Sequence, residues 1–144
     1  MIIKSYTFLD NDEVFKIEKE CFSNENRSYK SLVDTSTLDN FVGFVIKENG
    51  VIVGFITSTY CLDESDIITV AVLPSYRKKG YATTLFNTLL KALKEKGVNK
   101  LFLEVREGNA KAISLYEKLG FTKISIRKNY YDGIENAICY RLDF

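Results

Sequence analysis

Histidine and tryptophan are absent from the 144 residues, and proline and methionine occur once each. Without histidine, Ser-His and Cys-His catalysis are excluded and the commonest transition-metal ligand is missing. No metal is expected, and any proton chemistry falls to carboxylates, tyrosines, lysines or thiols. Cysteine is scarce too. Cys21, Cys61 and Cys139 are odd in number, widely spaced and set among apolar residues, which reads as buried free thiols. No apolar run approaches the length of a membrane span. Met1 leads straight into Ile2-Ile3-Lys4 without a basic n-region and a long h-region, so a cytoplasmic protein with no membrane partner is expected.

What is present suits one domain over residues 1–144, with 46% hydrophobic residues to build its core. The net charge of +1 conceals an asymmetry. Residues 1–72 hold 6 Lys/Arg against 12 Asp/Glu, and residues 73–144 hold 14 against 7. A polyanionic ligand on the C-terminal half and a cationic partner on the N-terminal half would both be steered by such a field, although two merely different surfaces would show the same counts. No long basic stripe is interleaved with exposed aromatics, so no nucleic-acid partner is expected.

The stretch Ile67 to Leu93 organises the chain. It reads as a buried strand, a basic turn at Arg77-Lys78-Lys79-Gly80, and a helix beginning within a residue or two of Gly80. Ala82, Leu85, Phe86, Leu89, Leu90 and Leu93 recur on one helical face, and Gly97 closes the helix. Three cations at a helix start oppose its dipole by roughly 0.3–1 kcal/mol each. They make sense if an anion occupies the turn, held by the backbone N–H groups of Lys79 to Ala82 where Gly80 permits close approach. A solvated charged loop would use the same residues.

Elsewhere, Ile2 to Phe8 is a plausible first strand, and Asp10 with Glu13 resembles a capping box before a helix that faces Val14, Ile17 and Cys21 inward. Residues 23–40 are polar and irregular, with a short helix around Tyr29 to Val33. Phe41 to Glu48 and Val51 to Tyr60 form a hairpin about Asn49-Gly50, with Gly54 marking a bulge. An acidic turn at Cys61 to Asp66 leads into the strand Ile67 to Val72. Lys100 to Arg106 is a strand, Asn109 caps a short helix ended by Gly120, and Ser125 to Tyr131 pairs with Asn136 to Leu142. The pattern predicts an α+β fold, a central mixed sheet flanked by helices.

Three residues attract chemical interest without carrying a function alone. Glu104 lies in Leu101-Phe102-Leu103-Glu104-Val105, where a carboxylate must be paired, neutralised or facing a wet cleft. An ordinary partner would be Arg106 or Lys100. Tyr116 sits on the apolar side of its helix as a core aromatic would, and Asn109 suffices as an N-cap.

Residues 67–121 resemble the GCN5-related N-acetyltransferases. Arg77-Lys78-Lys79-Gly80-Tyr81-Ala82 is similar to their pyrophosphate loop, (Q/R)-x-x-G-x-(G/A), with Ala82 in place of the second glycine. Leu103-Glu104-Val105-Arg106, Gly108-Asn109, Ala112-Ile113, Leu115-Tyr116-Glu117 and Leu119-Gly120-Phe121 resemble the signature of ribosomal-protein alanine N-acetyltransferases. Ile126-Arg127-Lys128-Asn129-Tyr130-Tyr131 is similar to a strand of that group. The stretch Cys21-Phe22-Ser23-Asn24-Glu25 lacks the Pro and Trp of its substrate loop.

The resemblance implies the GNAT fold, with a mostly antiparallel twisted sheet, and an enzyme using acetyl-CoA as acyl donor. Val70, Ala71 and Val72 would pair with the pantetheine arm. Arg77, Lys78, Lys79, Gly80, Tyr81 and Ala82, with Thr83, would hold the pyrophosphate, and Asn109 would hydrogen-bond the cofactor. Glu104 would be the general base and Tyr116 the general acid, with a backbone N–H near Val72 at the oxyanion. The implied acceptor is a basic protein N-terminus, such as that of a ribosomal protein. A small amine (polyamine, amino sugar, amino acid) or a CoA-binding module without turnover are the alternatives.

Overall fold

A computed structural model describes residues 1–23, 25 and 27–144. Its centre is a seven-stranded sheet, ordered β1-β2-β3-β4-β5-β7-β6. The strands are β1 (Ile2–Ser5), β2 (Phe41–Glu48), β3 (Val51–Cys61), β4 (Glu64–Val72), β5 (Lys100–Arg106), β6 (Thr122–Tyr131) and β7 (Glu135–Asp143). The helices are α1 (Asn11–Cys21), α2 (Tyr29–Ser36), α3 (Tyr81–Glu95) and α4 (Ala110–Lys118). Among the described strands only β4 and β5 run parallel, so the sheet is mixed, as the residue pattern predicts, and mostly antiparallel, as the family resemblance implies.

Alternation along the strands builds two cores. Val42, Ile46, Val53 and Ile56 face α3, whose Leu85, Phe86, Leu89 and Leu93 are completely buried. Burying each such side chain contributes about 1.5–3 kcal/mol. On the other face Val45, Ile52 and Phe55 meet Val14 and Ile17 of α1. The α3 helix ends in a Schellman motif: Gly97, at φ 86°, donates its N–H to Lys94 O, and Val98 donates to Leu93 O. Asn49 (φ 52°) and Gly50 (φ 80°) make the left-handed pair expected of a two-residue hairpin. Among the described residues, no helix is long and apolar enough to cross a membrane.

Several expectations need correction. The first strand stops at Ser5, because the Asp10 carboxylate turns back to accept the Thr7 N–H at 2.8 Å and winds Phe8–Asp10 into a 3-10 turn. The capping box therefore joins Thr7 to Asp10. Glu13 is used elsewhere, accepting the Ile52 N–H of β3 at 3.1 Å. The β4 strand starts at Glu64, since Leu62 at φ 57° makes the β3–β4 turn tighter than the acidic composition suggests. Cys61 is exposed, Cys21 half-buried and Cys139 buried, so burial holds fully for one thiol of three. The irregular stretch 23–40 contains a helix longer than expected, Tyr29–Ser36; Asn24 and Asn26 lie outside the described residues. The bulge falls beside Gly54: Ile46 faces Gly54 while Lys47 faces Ile52. Gly54 itself packs closely, and a Cβ there would come within 3.2 Å of Ala71 O.

Candidate active site

The sheet opens at its only parallel contact. β4 and β5 pair only from Glu64↔Lys100 to Asp66↔Phe102 and then part. Beyond that point one edge of each strand is left without a strand partner, and a cleft of about 1050 Å³ fills the gap. A second irregularity sits on its rim. Thr69 pairs with Thr57 and Ile67 with Ser58, so Ile68 is bulged out of the ladder, and it is 43% exposed toward the cleft.

Residue alternation then places the chemistry. Leu101, Leu103 and Val105 of β5 are buried on the α3 side, which leaves Glu104 and Arg106 on the opposite, open face. Glu104 Oε1 lies 3.3 Å from Arg127 Nε of β6. Lys100 binds Asp63 and Arg106 binds Glu135, so neither partner expected from the sequence is the one used. Glu104 also makes its charge felt. Burial raises the Asp66 carboxyl above its ordinary value, with Glu64 and Glu104 adding repulsion.

Tyr116 reaches the cleft from α4. Gly120, at φ 99°, closes that helix with Phe121 donating its N–H to Tyr116 O, a second Schellman motif. The motif brings the Phe121 ring onto Tyr116 at 5.9 Å, and Phe86 flanks it at 5.9 Å. Burial, with Tyr131 adding repulsion, pushes the Tyr116 phenol up to about 12, so it is protonated at neutral pH. Asn109 Oδ1 accepts the Ala112 N–H at 3.2 Å and caps α4, with the residue on the cleft rim.

The structure thus brings Val70, Glu104, Asn109 and Tyr116 around one cleft. Ala71, Val72 and the basic turn lie outside its lining among the described residues. In that turn Lys78 (φ 64°) and Gly80 (φ 79°) are both left-handed, and the first N–H to close a helical bond is that of Thr84, onto Gly80 O. The amides of Tyr81, Ala82 and Thr83 consequently have no intrahelical acceptor, the arrangement an anion would use. The three cations are not equivalent. Arg77 Nε donates to Val72 O at 2.8 Å, and Lys79 Nζ lies over the Tyr76 ring at 5.2 Å. Tyr81 donates its hydroxyl to Glu48 of β2, anchoring the helix start.

Sequence reasoning missed the charged residues around Glu104. The cleft lining carries six carboxylates against three arginines among the described residues, an acidic patch contributed by both halves of the chain. Arg127 lies in the segment Ile126–Tyr131, and nothing in the sequence shows that it meets Glu104.

The comparisons agree with this geometry. The family model described as "Acetyltransferase (GNAT) family" matches residues 11–121. The chain belongs to the GNAT acetyltransferase family. A [ribosomal protein bS18]-alanine N-acetyltransferase of Haemophilus influenzae is 43% identical over 109 residues, covering 71% of this chain and 74% of that protein. One from Haemophilus ducreyi is 32% identical over 155 aligned positions, covering 98% of this chain and 99% of that protein. The crystal structure of the ribosomal-protein-S18-alanine N-acetyltransferase from Escherichia coli superposes with a TM-score of 0.91 at 34% identity, covering 99% of this chain and 92% of that one. As a GNAT enzyme the protein is an N-acetyltransferase that uses acetyl-CoA as acyl donor. The left-handed turn, its free amides and its cations fit the donor's pyrophosphate, and the unpaired edge of β4 fits an extended arm with alternating amides.

Proposed function

We propose that this GNAT enzyme, acting as one domain across residues 1–144, acetylates the N-terminal α-amine of a protein that begins with alanine, the ribosomal protein bS18. The observation that carries this reading is the cleft itself. It has an acidic lining where β4 and β5 part, with Glu104 and Tyr116 on it, in a chain similar to bS18-alanine acetyltransferases over nearly all its length. An acidic lining favours a cationic acceptor segment, and the donor's phosphates are accommodated apart from it, at the Arg77–Thr83 turn. A cytoplasmic location is part of the same proposal. Neither nucleic acid nor membrane has a role in it.

When bound, acetyl-CoA supplies a thioester whose carbonyl carbon is open to attack by an amine. Glu104, held by Arg127, accepts the proton that the α-ammonium must lose, directly or through water. An N-terminal amine ionises near pH 7.7–8.0, so a carboxylate suffices for that transfer. Tyr116, protonated up to about pH 12, gives its phenolic proton to the sulfur as the C–S bond breaks, and the second proton shed by the acylated nitrogen restores the phenol, directly or through water. Val70, Ala71 and Val72 offer backbone groups to the pantetheine arm, and an N–H of this segment stabilises the negative charge on the carbonyl oxygen. Arg77, Lys78, Lys79, Gly80, Tyr81, Ala82 and Thr83 form the pyrophosphate turn, with Asn109 at the rim.

Mass spectrometry of synthetic peptides tests the reading. A basic Ala-initiated peptide, its α-blocked form and a lysine-only control are incubated with enzyme and acetyl-CoA. A gain of one acetyl group on the free α-amine alone is expected. Acetylation of spermidine or an amino sugar with none on the peptide would overturn it.

A further inference from the structure

Arg106 stands two residues from Glu104 on the same open face of β5, and its guanidinium joins two separate segments of chain, the β6–β7 hairpin and the loop at Glu25. Arg106 Nη1 donates to Glu135 Oε1 at 3.1 Å. Its Nη2 lies 3.8 Å from Asp132 Oδ2 and 3.8 Å from Glu25 Oε1. The group also stacks over the Tyr131 ring, 4.3 Å from its centroid. Burial pulls the Arg106 pKa down, but the Glu135 hydrogen bond and the carboxylates of Glu25, Glu135 and Asp132 outweigh it, and the net shift is upward. Glu135 makes a second anchor by accepting the Gly108 N–H at 3.0 Å.

Tyr131, Asp132 and Glu135 belong to the β6–β7 hairpin, whose other side-chain ties are the Arg127–Glu104 pair and Asn136, which accepts the Asn129 N–H and donates to Glu107. Residues Thr122 to Tyr130 are exposed along the whole of β6, and the β6–β7 register is interrupted between Arg127 and Tyr131. Hairpins of this kind slip or open unless side chains pin them. Tyr131 is one of several hairpin residues that line the cleft; burial raises its phenol most, and the nearby Glu104 charge adds to the rise.

We propose that Arg106 is the positioning residue of the acceptor side of the cleft. Its planar fork and its stacking hold the hairpin, Tyr131 in particular, in register with Glu104, and so govern acceptor binding while leaving donor binding alone. Lysine cannot reproduce two-pronged pairing together with stacking. The donor turn at Arg77–Thr83 lies outside the cleft lining. The proposal rests on the reading of this cleft as the acceptor site.

Two measurements decide it. Steady-state kinetics compare wild type with Arg106→Gln, Arg106→Lys and Glu135→Gln, varying an Ala-initiated basic peptide and acetyl-CoA in turn. Arg106→Gln should raise the acceptor KM by about tenfold or more, the size of a lost charged hydrogen bond. The acetyl-CoA KM should stay within about twofold. Arg106→Lys should recover part of the loss, and Glu135→Gln should move the acceptor KM in the same direction. An unchanged acceptor KM, or both KM values rising together, overturns the proposal. Hydrogen exchange of the hairpin amides Asn129 and Ile134 supplies a readout that needs no acceptor. Exchange about tenfold faster in Arg106→Gln with α3 unchanged supports the proposal, and identical exchange overturns it. A wild type inactive on the peptide would sink the acceptor assignment, and exchange would still decide the role of Arg106.

Discussion

Glu104 Oε1 and Arg127 Nε lie 3.3 Å apart although their strands never touch, because β7 runs between β5 and β6. The register sets Glu104 beside Cys139 and Ser125, and Arg106 beside Ala137 and Arg127. The arginine therefore reaches back diagonally across β7, between the small side chains of Ala137 and Cys139. The carboxylate is held on the cleft lining, and a candidate base keeps a fixed position without being enclosed.

Replacing Glu104 by Gln should reduce kcat about 10–10⁴-fold near neutral pH while leaving acetyl-CoA affinity nearly intact, the signature of a lost general base. Stopped assays of peptide acetylation together with titration of acetyl-CoA make the comparison. Equal turnover in wild type and variant would reduce Glu104 to a structural carboxylate.

Tyr116→Phe should slow turnover without unfolding the domain, since the ring contacts with Phe86 and Phe121 survive the loss of the hydroxyl. With its phenol at about 12, Tyr116 should impose no alkaline fall in rate between neutrality and about pH 10. The stability sign follows. Tyr116 and Tyr131 are both raised to about 12 in the fold, so their contribution is complete below the ordinary tyrosine value and is lost as pH climbs toward 12. Urea midpoints should fall above about pH 10, less steeply in Tyr116→Phe.

Gly80→Ala should weaken acetyl-CoA binding and cost about 1 kcal/mol of stability, from φ 79° alone, because a Cβ there meets nothing within 4 Å. Lys78→Ala should weaken acetyl-CoA binding at low salt and less at high salt, with the peptide KM unmoved. Calorimetric titration at two ionic strengths reads both. Undiminished affinity in both variants would return this turn to a solvated loop.

Arg27→Ala should destabilise the protein by roughly 1–3 kcal/mol at pH 7, because Arg27 Nη1, 4.0 Å from Glu18 and 3.0 Å from Thr69, is the cation nearest the buried Glu18 carboxylate. Burial raises the Glu18 pKa against the pull of Arg27. A raised carboxylate gives its full contribution below its ordinary value and loses it as pH rises, so the loss on mutation should shrink toward about pH 4. Chemical denaturation at the two pH values measures it, and a pH-independent loss would place the effect in Arg27 packing on the Phe22 ring.

Much of the fold was legible because its signals are local. The one-faced repeat of α3, the Asn49-Gly50 turn and the Gly97 and Gly120 stops each rest on interactions within a few residues. Where local signals competed, the reading failed. The sequence suggested a capping box of Asp10 with Glu13, but Asp10 accepts the Thr7 N–H instead, and Glu13 serves β3 through the Ile52 N–H. The alternation of Leu101, Leu103 and Val105 fixed which face of β5 would be wet, but not what would stand opposite Glu104 there.

By itself the sequence determined most of the elements, the basic turn before α3 and the residue types able to move protons, since backbone preference and side-chain period act over a few residues. Tertiary structure alone decided that β7 inserts between β5 and β6, that β4 and β5 part after Asp66 and Phe102, and that Arg127 meets Glu104. Those outcomes depend on pairing between strands far apart in the chain. Burial on both sheet faces selects that pairing, and no short stretch of residues encodes it.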